Sequence, residues 1–106
     1  RTLAHRVSHR VSRSMAMADK ELLLDVNELA NGYEFYELGE VALSPNEQLM
    51  AYSEDTDGRR IYTVRFKDLS SNTMLDDALE ITEGQVVWAN DNKTVFYVKK
   101  DLKTAR

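Results

Sequence analysis

From Tyr33 onward the apolar residues fall in short runs. EVALS, QLMAYSED, RIYTVRFKDL, QVVWA and KTVFYVKK are rich in β-branched and aromatic residues, and SPNE, DTDG, SSNT and NDN separate them. Runs of this length between turn residues predict strands near 40–43, 48–55, 59–67, 74–82, 85–89 and 94–99. With no long helical pattern among them, the class is all-β. One short helix is expected over 26–31. Asp25 stands at its N-cap, Glu28 sits three residues on, and Gly32 occupies the place of a left-handed C-terminal residue. Residues 14–24, SMAMADKELLL, have no clear apolar face and suit a loop leading into a strand at 22–24 as well as they suit a helix.

The pattern also repeats. VALSPNEQLMAYSED begins at Val41 and VVWANDNKTVFYVKK begins at Val86, an offset of 45 residues. Val41 then matches Val86, Leu43 matches Trp88, Asn46 matches Asp91 and Tyr52 matches Tyr97. A period in the forties with four strands per unit is the signature of a β-propeller blade. The first four strands fill one blade and the last two open a second, so residues 14–106 read as a partial β-propeller of about one and a half four-stranded blades.

Between the second and third strands lies EDTDGRR, residues 54–60, with three acids beside two arginines. A calcium loop of the EF-hand type needs glycine at its sixth position and a bidentate Glu at its twelfth. Counted from Asp55, Gly58 is fourth and Phe66 twelfth, so the spacing fails. Paired carboxylates for acid–base work need a cleft and contrasting environments, which acids next to Arg59 and Arg60 do not suggest. A hairpin centred on Asp57-Gly58 fits the turn chemistry. It would set Asp55 opposite Arg60, Ser53 opposite Tyr62, Ala51 opposite Val64 and Leu49 opposite Phe66.

Charge divides the chain unevenly. Residues 1–13, RTLAHRVSHRVSR, hold four arginines and no acid, whereas residues 14–106 carry ten basic and eighteen acidic side chains. The first thirteen residues therefore read as an atypical basic leader or junction, and a targeting segment is the weaker reading. The acidic body argues against a nucleic-acid partner, which calls for a basic face, and leaves room for basic peptides. No apolar run is long enough for a membrane helix. The absence of cysteine removes disulfide and thiolate chemistry and fits the cytoplasm.

Nothing in the sequence assembles a catalytic centre. Serines 8, 12, 14, 44, 53, 70 and 71 lack the Gly-x-Ser-x-Gly frame, and the four glycines form no phosphate loop. His5 and His9 lie in the atypical leader, and Trp88 reads as core rather than ligand platform because Leu43 holds the matching place. No catalytic, cofactor-binding or metal-ligating residue is assigned, and no cofactor is expected.

LLLDVNELANG, LSPNEQLMAYSEDTDGRRIYTVRFKDL and VVWANDNKTVFYVKKD resemble, in that order and over residues 21–106, the N-terminal propeller region of oligopeptidase B-type enzymes (protease II) in the prolyl oligopeptidase family of serine peptidases. The resemblance implies a seven-bladed propeller joined to a C-terminal α/β-hydrolase domain with a Ser-Asp-His triad, cleaving short peptides after Arg or Lys. The propeller would admit such peptides and exclude folded proteins. No triad residue belongs to this part of the family's chain, so the fragment is expected to be inactive alone. The alternative is a non-enzymatic propeller binding module; a free-standing β-sandwich would have to explain the 45-residue echo. Open blade faces and an open sheet edge imply that residues 1–106 alone are marginally stable, dimerise or aggregate.

Overall fold

The computed structural model describes residues 2–7 and 25–101. The elements are β1 (Thr2–Arg6), α1 (Val26–Ala30), β2 (Glu37–Leu43), β3 (Leu49–Asp55), β4 (Tyr62–Asp68), β5 (Thr73–Trp88) and β6 (Thr94–Lys99). They form one antiparallel sheet in the order β1-β6-β5-β4-β3-β2. From β2 to β6 every strand is followed by its neighbour, the meander of a propeller blade continuing into the next.

Helix α1 begins where its cap predicts. The Asp25 carboxylate accepts from the N–H groups of Asn27 and Glu28, and Gly32 takes φ +94° just beyond the end. The expectations for 14–24 lie outside the described residues.

The repeat holds at the level of backbone pairing. Val41 pairs with Tyr52, Ala42 with Ala51 and Leu43 with Met50; 45 residues on, Val86 pairs with Tyr97, Val87 with Phe96 and Trp88 with Val95. The turns match as well. Ser44 N–H donates to Leu49 O and Ala89 N–H to Thr94 O, while Glu47 N–H donates to Ser44 O and Asn92 N–H to Ala89 O. Glu47 and Asn92 both adopt positive φ, 60° and 63°. Asn46 and Asp91 each cap their turn, accepting from Gln48 N–H and from Lys93 and Thr94 N–H respectively.

The sheet curls until the two repeated hairpins face each other. Trp88 Nε1 donates to Ala42 O at 2.9 Å, and Asn46 N–H donates to Asn92 Oδ1 at 2.8 Å. Between them lies a core of Val7, Leu49, Ala51, Val64, Phe66, Leu79, Val86 and Val95, with Ala42, Leu75, Trp88 and Tyr97 packed against it. Phe66 meets Trp88 edge to face, ring centroids 6.0 Å apart.

Three sequence expectations change. First, 74–82 and 85–89 are one strand, β5. Its N-terminal part pairs with β4 and its C-terminal part with β6, and Thr82 pairs on both sides. Gly84, which fell between the two expected strands, forms a kink at φ +96°, where a Cβ would press on the Tyr62 ring at 3.0 Å. Ile81 shares the kink at φ +61°, an uncommon conformation for a β-branched residue. Secondly, the β3–β4 pairing is shifted by two residues: Leu49 faces Asp68, Ala51 faces Phe66 and Ser53 faces Val64. The connection at 56–61 is longer than a two-residue turn because the Asp55 side chain, and not a central Asp-Gly pair, organises it. Thirdly, Thr2–Arg6 is a strand, β1, antiparallel to β6, where the sequence offered no element.

Candidate functional site

The acidic knot separates into two arrangements with different work. Asp55, 1% exposed, turns its carboxylate back on the loop that follows it. Oδ1 accepts from the N–H groups of Asp57 (2.9 Å) and Gly58 (3.0 Å), and Oδ2 accepts from that of Arg60 (2.9 Å). Burial pushes the carboxyl up, but the backbone donors of Asp57, Arg60, Gly58 and Arg59 outweigh it and hold it below its ordinary value. Asp55 thus remains a carboxylate and spends it on fixing the loop, with Gly58 at φ +78° and Arg60 at φ +60°. Arg60 meets Asp55 through its backbone, not through the cross-strand ion pair expected from the sequence.

Glu54 faces the other side of β3. Its Oε1 accepts from the Tyr36 hydroxyl at 2.7 Å and its Oε2 from Arg65 Nε at 2.6 Å. Tyr33 lies beside Tyr36, ring centroids 6.0 Å apart. Burial first, then the Glu54 hydrogen bond and charge, push the Tyr36 phenol far up. Burial and Glu54 raise Tyr52 to about 12. The hydrogen bond to Glu54 raises Arg65 in turn. These phenols stay protonated at neutral pH, so the cluster is an internally satisfied ion pair with tyrosines around it rather than an acid–base pair poised to react. Sequence reasoning missed it because the two-residue shift in register is what brings Arg65 diagonally across from Glu54.

His5 is on β1. Its Nε2 lies 2.9 Å from Asp77 Oδ2 on β5, and its ring stacks on Phe66 with centroids 5.8 Å apart. An oriented imidazole of this kind is the supporting half of a nucleophilic triad, but the described serines are engaged elsewhere. Ser44 Oγ donates to Asn46, Ser70 Oγ donates to Asp68, and Ser71 bonds with Thr73. Ser53 Oγ accepts from Glu40 N–H and donates to Gly84 O. His9, Ser8, Ser12 and Ser14 lie outside the described residues. Asp77 carried no signal in the sequence, since its partner sits on a strand the sequence did not announce.

Trp88 takes the core role expected of it. A shallow groove of about 350 Å³ lies on the opposite side of the second hairpin, bordered by Thr2, Glu40, Gln85, Val87 and Phe96. Val87 and Phe96 share its walls with polar Thr2, Gln85 and Glu40, and the Glu40 carboxylate accepts from Val86 N–H at 3.4 Å. Among the described residues no three acids or histidines gather as a metal site, and no helix is long and apolar enough to cross a membrane.

Two hairpins that share a register under a 45-residue shift and pack on one another are successive units of a repeat. The family model for the prolyl oligopeptidase N-terminal beta-propeller domain matches residues 1–106. The chain belongs to this family. Dipeptidyl aminopeptidase BI of Pseudoxanthomonas mexicana is 44% identical over 87 residues, covering 82% of this chain and 12% of the relative. The uncharacterized peptidase y4qF of Sinorhizobium fredii is 36% identical over 89 residues, 83% of this chain and 12% of that protein. Protease 2 of Moraxella lacunata is 29% identical over 86 residues, 79% and 12%. The chain therefore spans about 12% of the length of the curated relatives it matches. It is part of the propeller domain of a peptidase family.

Proposed function

We propose that these residues form part of the propeller that controls peptide access to a serine oligopeptidase active site, the reaction itself being carried by an α/β-hydrolase domain elsewhere in the protein. The family match across residues 1–106 carries this reading. The buried, mutually satisfied ionisable groups described above agree with a scaffold role. We assign the parent activity to cleavage after Arg or Lys in short peptides, in the cytoplasm, as in oligopeptidase B. The net acidity of residues 14–106 favours the approach of such substrates. No nucleic acid or membrane enters this role.

A second reading has its own support. The relative at 44% identity is named a dipeptidyl aminopeptidase, whereas the one named Protease 2 stands at 29%. In that case the parent would release dipeptides from peptide N-termini. The two separate on fluorogenic substrates assayed with the full-length protein: an N-blocked peptide ending in Arg at the scissile bond, and an unblocked dipeptide amide. Turnover of the blocked substrate is expected. Turnover of the unblocked dipeptide amide alone would favour the second reading, and turnover of neither would remove both and leave a non-enzymatic binding propeller.

A further inference from the structure

Among the described residues, basic side chains stand in tandem twice, at Arg59–Arg60 and at Lys99–Lys100. The two pairs are held by different means. Lys99 pairs with Thr82 in the sheet, and Lys100 N–H donates to Ile81 O. Arg59 and Arg60 have no strand beside them. They stand exposed on the connection 56–61, past the last β3–β4 partners, Glu54 and Thr63. Exposed loop tips are the preferred places for proteolytic nicking, and a cut there is judged from the burial and bonding of the backbone. An arginine pair at such a tip also offers the side chain that trypsin-like peptidases require.

The backbone withholds what the side chains offer. A peptidase takes its substrate as an extended strand whose N–H and C=O groups pair with its own. Here the N–H groups of Asp57, Gly58 and Arg60 are already given to the Asp55 carboxylate, at 2.9, 3.0 and 2.9 Å. Gly58 sits at φ +78° and Arg60 at φ +60°, whereas an extended strand needs about −120°. Asp55 is 1% exposed and ends β3, so the clasp is fixed to the sheet at its base. Little else holds the tip. Residues 57–60 are all exposed, and the nearest cover over Gly58 is the Phe35 ring, 3.8 Å from where a Cβ would stand.

We propose that the loop 56–61 is a latent cleavage site for trypsin-like serine peptidases, and that the Asp55 carboxylate keeps it shut by holding the backbone out of the extended form. The reaction at the opened loop is hydrolysis of the peptide bond after Arg59 or Arg60. Water supplies the hydroxyl to the arginine carbonyl carbon and a proton to the released amine. Cleavage follows the population of the open loop when opening is fast, so any change that weakens the clasp raises the rate by the same factor.

The test is limited trypsin digestion of the full-length protein, with the cut sites read by mass spectrometry. The wild type should resist cutting after Arg59 and Arg60. Asp55→Asn keeps the side-chain shape but removes the charge and one acceptor oxygen, and should speed cutting there by at least about tenfold. Gly58→Ala leaves Asp55 in place and meets only open space and the Phe35 ring, but strains the closed loop at φ +78°. It should speed the same cuts by about tenfold. Cuts confined to Arg59 and Arg60 in both variants bear the inference out. Where Asp55→Asn also opens Arg65, Lys67 and Lys99, its sheet has unfolded and Gly58→Ala decides. Equal rates after Arg59 and Arg60 in the wild type and Gly58→Ala, whether fast or undetectable, would mean that the clasp does not govern access, and the inference is wrong.

Discussion

The first unit, β2–β3–β4, and the second, the C-terminal half of β5 with β6 and β1, share a backbone register but bury opposite faces. In the first, the inward side carries Ala42, Ala51, Val64 and Phe66. In the second, the inward side carries Val86, Trp88 and Val95, whose counterparts in the first unit are Val41, Leu43 and Met50 on its other face. One unit thus presents its front to the other's back. A back-to-back pair would close on itself, whereas a front-to-back stack can be continued by another unit on the same terms, as propeller blades are. The continuing surface is visible: Val87 is 60% exposed and Phe96 42%. Their counterparts are Ala42 and fully buried Ala51.

The strongest way to break the comparison is to remove its shared core. Phe66 is fully buried and touches both units, stacking under His5 and meeting Trp88 at its edge. Phe66→Ala is expected to cost about 3–5 kcal/mol, with loss of a cooperative denaturation transition followed by Trp88 fluorescence, since Trp88 is the chain's one tryptophan. A fully native transition in this variant would mean the units do not depend on each other.

The next test exchanges residues between matched positions. Ala51→Phe forces a large ring into a filled core and should cost about 1–3 kcal/mol. Phe96→Ala, at the equivalent place on the uncovered face, should change stability by no more than about 0.5 kcal/mol, as exposed substitutions do. It should also reduce concentration-dependent self-association in sedimentation, if the open face is what aggregates. Equal costs at the two positions would contradict the front-to-back reading.

Comparable in size is the bond that differs between the units. Ser53 Oγ accepts from Glu40 N–H and donates to Gly84 O, fastening β2 and β3 to the kink in β5. Its counterpart by the repeat is Val98, which has no hydroxyl. Ser53→Ala leaves buried polar groups without their partner and should cost about 1–3 kcal/mol. Val98→Ser, on the second unit, should lack any compensating gain. Urea denaturation of the two variants side by side measures the contrast.

How much of this was legible in the sequence depends on how local the physics is. The repeat was readable because turn capping is local: Asn46 and Asp91 bond to backbone two and three residues away, and the valines and tyrosines around them follow the pleat. The β3–β4 register was misread because Asp55, an acid before Asp-Gly, looks the same whether it faces Arg60 across a tight turn or folds back to cap a longer loop. Only the buried carboxylate distinguishes them. β5 was split at Gly84 because a glycine at positive φ serves a turn and a strand kink equally well. β1 was invisible because its partners, Phe96 and Asp77, lie more than seventy residues away, beyond any local pattern. The mismatch of the acidic knot with a calcium loop was readable from ligand spacing, but the Glu54–Arg65–Tyr36 cluster depended on the register and was lost with it.

The smallest expected difference between the units is electrostatic. At the turn of the first, the cap is Asn46, which does not titrate. At the turn of the second it is Asp91, held below its ordinary 3.8 first by the Lys93 N–H, then by the Thr94 hydroxyl and N–H. A carboxyl whose value is lowered on folding adds stability above that ordinary value and loses it as pH falls through the lowered one. Acidification below 3.8 should therefore weaken the second turn while leaving the first in place. Asp55, lowered in the same direction, adds its own loss at the β3–β4 loop. Amide-exchange protection at Lys93 and Thr94 should drop between pH 4 and pH 2 while that at Gln48 holds. Asp91→Asn should abolish the drop at the second turn and leave the one at Gly58 and Arg60. If protection at Gln48 and Lys93 fell together in both proteins, the acid response would belong to the sheet as a whole, and the two turns would be equivalent in charge as well as in shape.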